Sequence, residues 1–103
     1  MRPALALLIL LAGCASVVPV PTERELAAAR RDDSQATLAS LSFGRERYVA
    51  RCSGCHALHA PRELSPAEWR AELDEMAAKA KCTPDERRAI ERYLVAVVSA
   101  PSQ

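Results

Sequence analysis

Residues 52–59 read CSGCHALH. Two cysteines separated by two residues, with a histidine directly after the second, suit three chemistries: a zinc site, thiol–disulfide exchange, or covalent attachment of a haem. The rest of the chain decides among them.

A structural zinc site takes four ligands, usually from two paired clusters. Beyond Cys52, Cys55 and His56, the candidates to complete a set are His59 and Cys82, and nothing pairs with Cys82. Thiol–disulfide exchange places its CxxC at a helix start beside a sheet, and no strand pattern flanks this one. C-x-x-C-H is the attachment signature of c-type haem. The thiols of Cys52 and Cys55 add across the two haem vinyls as thioethers. Two intervening residues match the distance between those vinyls around a helical turn, and the next residue, His56, then falls under the iron as an axial ligand. The cofactor expected is one covalent haem c per chain.

On the N-terminal side, SFGRERYVARCSGCH reads as a helix running into the motif, with Phe43, Tyr48, Val49 and Cys52 on overlapping faces. Gly44 costs that helix about 1 kcal/mol relative to Ala. Close approach of another helix is one reason to keep it; a place near the helix N-terminus is the plainer one. On the C-terminal side, residues 57–64, ALHAPREL, read as a loop, since Pro61 disfavours helix for the residue before it. SPAEWRAELDEMAAKAK then carries a helix start: Ser65 as cap, Pro66 at the first position, Glu68 completing a capping box. Trp69, Leu73, Met76, Ala77 and Ala80 form one apolar face. TPDERRAIERYLVAVVSA repeats the device with Thr83, Pro84 and Glu86, and its buried stripe is Ile90, Tyr93, Leu94, Val97 and Val98. The expected fold is all-α, a small domain of about three helices over residues 42–100. One Trp, one Phe and two Tyr make a thin protein core, to which a large buried cofactor would add apolar volume.

Further out, Arg2 and the apolar run ALALLILLAG, residues 4–13, read as a targeting segment. The run is shorter than the roughly 20 residues that span a bilayer. Leu11-Ala12-Gly13-Cys14 resembles the bacterial lipobox. That resemblance implies a signal peptide over residues 1–13, diacylation of Cys14 as the new N-terminus, and export to the periplasmic side of a membrane. The plainer reading is an ordinary signal peptide with an incidental cysteine. The sorting rule of such lipoproteins, applied to Ala15, leans towards the outer membrane because the residue is not Asp. Residues 14–41 are expected to be a lipid-anchored spacer. Pro19 and Pro21 favour extended geometry. Residues 23–42, rich in Ala and charge, could form a helix, but Leu26, Leu38 and Leu41 make a poor stripe, so they read as a partly helical spacer. Extended from Ala15 to Leu41, the spacer would reach roughly 90 Å; a helical one would cover less than half of that.

The chain carries 14 basic and 13 acidic residues. Removal of Arg2 with the signal leaves 14 − 1 = 13 basic residues against 13 acidic, a mature chain near neutrality. With no basic stripe, nucleic acid is not the expected partner.

Residues 42–100 resemble a small monohaem c-type cytochrome domain. GRERYVARCSGCHAL is similar to that family's opening, EWRAELDEM to its distal-ligand segment, and TPDERRAIERYLVAV to its closing helix. The resemblance implies that the first and last helices cross at a small residue, so that Gly44 and Tyr48 meet Tyr93 and Leu94. It also implies that His56 donates its second ring N–H to a backbone carbonyl such as that of Pro61. The stretch from His56 to Met76 is short for the family, which implies a more exposed haem.

Met1 leaves with the signal, so Met76 is the one methionine of the mature chain. Its thioether is a soft ligand that favours Fe(II) and raises the potential, and Met76 is expected as the second axial ligand. The bland alternative is a core gap-filler. His59 is close to His56 in sequence and reads as a solvent-exposed loop histidine. Cys82 reads as a small buried residue at a turn, with an intermolecular disulfide or a regulatory thiol as the sharper options. Trp69 reads as packing a haem edge, or donating to a propionate. Together these readings point to an electron carrier, not an enzyme: a monomer, membrane-tethered through its lipid, exchanging electrons with redox partner proteins. A gas sensor with an open distal site, or a haem subunit of a larger redox enzyme, are the rival functions.

Overall fold

Each helix of this protein opens on a capping box. In the computed structural model, which describes residues 17–54 and 58–101, Thr22 and Glu25 start α1 (Glu23–Asp32). Thr37 and Ser40 start α2 (Leu38–Cys52). Ser65 and Glu68 start α3 (Pro66–Lys79), and Thr83 and Glu86 start α4 (Pro84–Ser99). In every case the two side chains satisfy backbone N–H groups that the helix itself leaves unpaired. A 3-10 turn, Pro61–Glu63, lies between α2 and α3. No strand occurs among the described residues, so the described chain is all-α. Cys14, Cys55 and His56 lie outside those residues.

Helix α4 is the centre of the fold: α1, α2, α3 and the 3-10 turn all pack on it. Its expected stripe is found, with Ile90, Tyr93, Leu94 and Val97 buried and Val98 half-buried. Ala89, Val95 and Ala96 are buried too: Ala89 lies against Gly44 of α2, and α1 covers the side of α4 that carries Ala96. Leu26 and Ala29 of α1 join Ala36, Leu41 and Ala96 in a second core cluster.

Here the structure differs from the expected 14–41 spacer. Its described part, residues 17–41, is folded onto the domain. Three small or aliphatic residues of α1, Leu26, Ala28 and Ala29, form a short buried strip, and that strip meets α4 at the small side chain of Ala96. Acidic residues in the first turn and Arg30 and Arg31 in the last favour the helix further.

The buried face of α2 is Leu41, Gly44 and Tyr48. Phe43 and Val49, expected inside, are exposed. At about 100° per residue Phe43 lies opposite the Leu41–Gly44–Tyr48 face and Val49 to one side of it. Gly44 is where α4 comes closest. A Cβ added there would overlap the Ala89 carbonyl and stand 2.9 Å from the Tyr93 Cβ. The close-approach reading of Gly44 is therefore the one the structure supports.

Helix α3 ends on a Schellman arrangement: Cys82 N–H reaches the Ala77 carbonyl at 2.9 Å and Lys81 N–H the Ala78 carbonyl at 3.1 Å. The left-handed position is filled by Lys81, with φ 56°.

Candidate functional site

The last residue of α2 and the third turn of α3 share one apolar cleft. Cys52 lines it from α2, and Met76, with Leu73 and Ala80, from α3. Tyr48, Leu58 and Trp69 complete its apolar wall. The cleft is open to solvent and its interior is narrow, about 30 Å³. Both Cys52, just before residues 55–57, and Leu58, just after them, line the cleft.

Two hydrogen bonds fix the loop on the far side of that stretch. The Tyr48 hydroxyl donates to the His59 carbonyl at 2.7 Å. The Trp69 indole N–H donates to the Pro61 carbonyl, also at 2.7 Å and fully buried. Tyr48 and Trp69 meet edge to face, ring centres 5.7 Å apart, the arrangement aromatic quadrupoles prefer. Burial, and secondarily the nearby Cys52, push the Tyr48 hydroxyl well above its usual range, so it stays a donor. The Trp69 N–H is thereby committed to the backbone, which leaves the indole ring to act as cleft wall and not as a hydrogen-bond donor to a ligand. The expected His56 bond to a carbonyl such as that of Pro61 lies outside the described residues.

His59 lies in the loop with its side chain 44% exposed, and it also lines the same cleft as Met76. Its ring stands edge to face with Trp69, 6.3 Å between centres. Nδ1 is 2.9 Å from Glu63 Oε2, and that contact holds the Glu63 carboxyl below the usual carboxylate range. The turn at Pro61–Glu63 brings residues 59 and 63 together, which the loop sequence did not disclose.

The mouth of the cleft carries charge. Arg51 lines it and donates from Nε to Glu86 Oε2 at 2.9 Å. Arg47 approaches the same oxygen at 3.6 Å. Glu86 also accepts the Thr83 N–H through its capping box. The Arg51 bond, followed by the Thr83 backbone bond, holds the Glu86 carboxyl down to about 2. Cys82 is half-buried at the α3–α4 turn against the main core, and burial pushes its thiol up. Neither Cys52 nor Cys82 forms a disulfide among the described residues.

Among the described residues no group of three His, Cys, Asp or Glu side chains is placed to hold a metal ion. Also among them, no helix is long and apolar enough to cross a membrane. One thiol, of Cys52, and one thioether, of Met76, line the same space between aliphatic and aromatic walls, with Arg51, Glu72 and His59 as its polar lining; a thiol-attached apolar cofactor would find these donor types there. No protein-family model, curated protein or solved structure matches this chain.

Proposed function

We propose that this chain is a lipid-anchored monohaem c-type cytochrome that carries single electrons between redox partner proteins on the periplasmic side of a bacterial membrane. The observation that carries the reading is the shared cleft. Cys52, the first cysteine of CSGCH, and Met76, the one methionine beyond position 1, line it together. Bound haem c would supply one-electron exchange between Fe(II) and Fe(III). Cys52 and Cys55 would hold it as thioethers, and His56 and Met76 would be the axial donors. The chain's own contribution is position and exclusion of water. Trp69, Leu73 and Leu58 wall the site, and Tyr48 and Trp69 pin the loop that follows the motif. Acylation of Cys14 would anchor the protein.

The test is expression with an export signal in a host that attaches haem c. A red protein is expected, its mass raised by one haem on the peptide containing Cys52 and Cys55. A colourless exported protein with both thiols still titratable would remove the proposal.

A further inference from the structure

Residues 17–21 precede α1 and lie along the domain. Val18 is buried in the main core, and its carbonyl accepts the Arg45 Nε–H at 3.0 Å. The next carbonyl, that of Pro19, accepts the Tyr93 hydroxyl from α4. Pro21 is buried as well, so burial recurs at a spacing of three. Val17 and Val20 keep the same spacing and are 58% and 62% exposed. Three residues per turn is the period of the polyproline helix, the geometry that prolines in VVPVP favour. One side of this strap grips α2 and α4, and the other is apolar and outward.

We infer that the strap turns the lipid anchor into a short, fixed tether that holds the domain against the surface of a phospholipid bilayer. The inference rests on the acylation of Cys14 in the function proposed above. Val18 follows Cys14 by four positions, so their Cα atoms lie at most roughly 14 Å apart. Val18 is held by Arg45, and Cys52 lies seven positions further along α2, roughly 10 Å of helix. With the reach of the Arg45 side chain, the cleft stands within roughly 35 Å of the acylated sulfur, where a free spacer would allow roughly 90 Å. Val17 and Val20, with Phe43 and Val49, are the exposed large apolar residues among those described. The two valines follow Cys14 by three and six positions, close enough in sequence for their side chains to enter the interfacial layer of lipid beside an acyl anchor. An electron partner then has to meet the cleft within roughly 35 Å of the anchor.

Neutron reflectometry of the full-length, haem-loaded protein on a supported bilayer of phosphatidylethanolamine and phosphatidylglycerol reads the height of the domain. Mass spectrometry of the same sample reads acylation of Cys14. Acylated protein whose density begins at the headgroups, with no intervening water layer, is the expected result. Acylated protein separated from the headgroups by tens of ångströms of water overturns the tether and leaves the proposed function standing. Absence of an acyl group on Cys14 overturns both the tether and the lipid-anchor part of that function, whatever the colour of the protein. The doubly substituted Val18→Asp, Arg45→Ala protein, if still helical by circular dichroism, is expected to move away from the headgroups. Unchanged height in that folded variant would also overturn the inference. Should the variant not fold, the wild-type height decides alone.

Discussion

The Tyr48 hydroxyl stands 2.7 Å from the carbonyl oxygen of His59, joining α2 to the loop that carries the chain from the CSGCH motif into α3. Tyr48 is buried in the main core, so its ring and its hydroxyl do separate jobs. Tyr48→Phe keeps the ring and its contact with Trp69. It removes the donor and leaves a part-buried carbonyl without this partner. The expected cost is about 1–2 kcal/mol, read from urea denaturation. Hydrogen exchange is expected to rise at residues 58–60 before it rises in α4. Equal acceleration throughout would show that the hydroxyl does not pin the loop.

Gly44→Ala sets two effects against each other. Alanine favours the helix interior by about 1 kcal/mol. The new Cβ, however, meets the Ala89 carbonyl, which is backbone and has no rotamer to change. Overpacking of this kind costs about 1–3 kcal/mol, and a rigid helix–helix contact belongs at the upper end. A net loss of about 2 kcal/mol is expected, with a Tm lower by roughly 8–16 °C for a domain of this size. A variant as stable as the parent would mean that separating α2 from α4 costs no more than the gain in helix propensity, about 1 kcal/mol.

Which of these features the sequence discloses depends on how local their cause is. The capping boxes of α3 and α4 are set by residues three apart, and they are legible as Ser65 with Glu68 and Thr83 with Glu86. Thr22 and Glu25 carry the same signal, but the sparse apolar residues after them argue for a spacer. What overrules that reading is tertiary: Leu26 and Ala29 cluster with Ala36, Leu41 and, on α4, Ala96. The exposure of Phe43 has the same origin, since the position of α4 against Gly44 selects which face of α2 is buried. Met76 was expected to face the site and it lines the cleft. His59 was not, because its placement depends on the 3-10 turn and on Glu63. The grip of Arg51 on Glu86 joins positions 35 apart, and no local pattern encodes it.

Glu86 gives the fold a pH dependence of known sign. Its carboxyl is held at about 2, against 4.5 for an unperturbed glutamate, first by Arg51. A depressed folded-state value means that the stabilisation is complete above about 4.5 and is lost as pH falls towards 2. Glu25, Glu63 and Glu68 are lowered as well, so the whole protein loses stability in acid. The Glu86 share appears as a difference. Glu86→Gln is expected to be less stable than the parent at neutral pH, with the gap in Tm closing between pH 4.5 and 2. A gap constant across that window would show that Arg51 does not stabilise the ionised carboxylate.

Met76 and His59 line one cleft from opposite sequence directions, and substitution separates their roles. Met76→Leu conserves apolar volume but removes the sulfur; volume-conserving changes of this kind cost less than about 1.5 kcal/mol. Met76→Ala removes both, and for a half-buried side chain the expected cost is about 1–2 kcal/mol. If Met76 is an axial donor in the haem-loaded protein, both variants lose the sulfur–iron charge-transfer band at the red end of the oxidised spectrum, although only Met76→Ala loses appreciable stability. His59→Ala is expected to keep the band if Met76 supplies the sulfur donor, because the band belongs to the sulfur–iron bond and not to His59. A band that survives Met76→Leu assigns Met76 to packing alone. Loss of the low-spin spectrum in His59→Ala, with Met76→Leu unchanged, assigns the second axial position to His59.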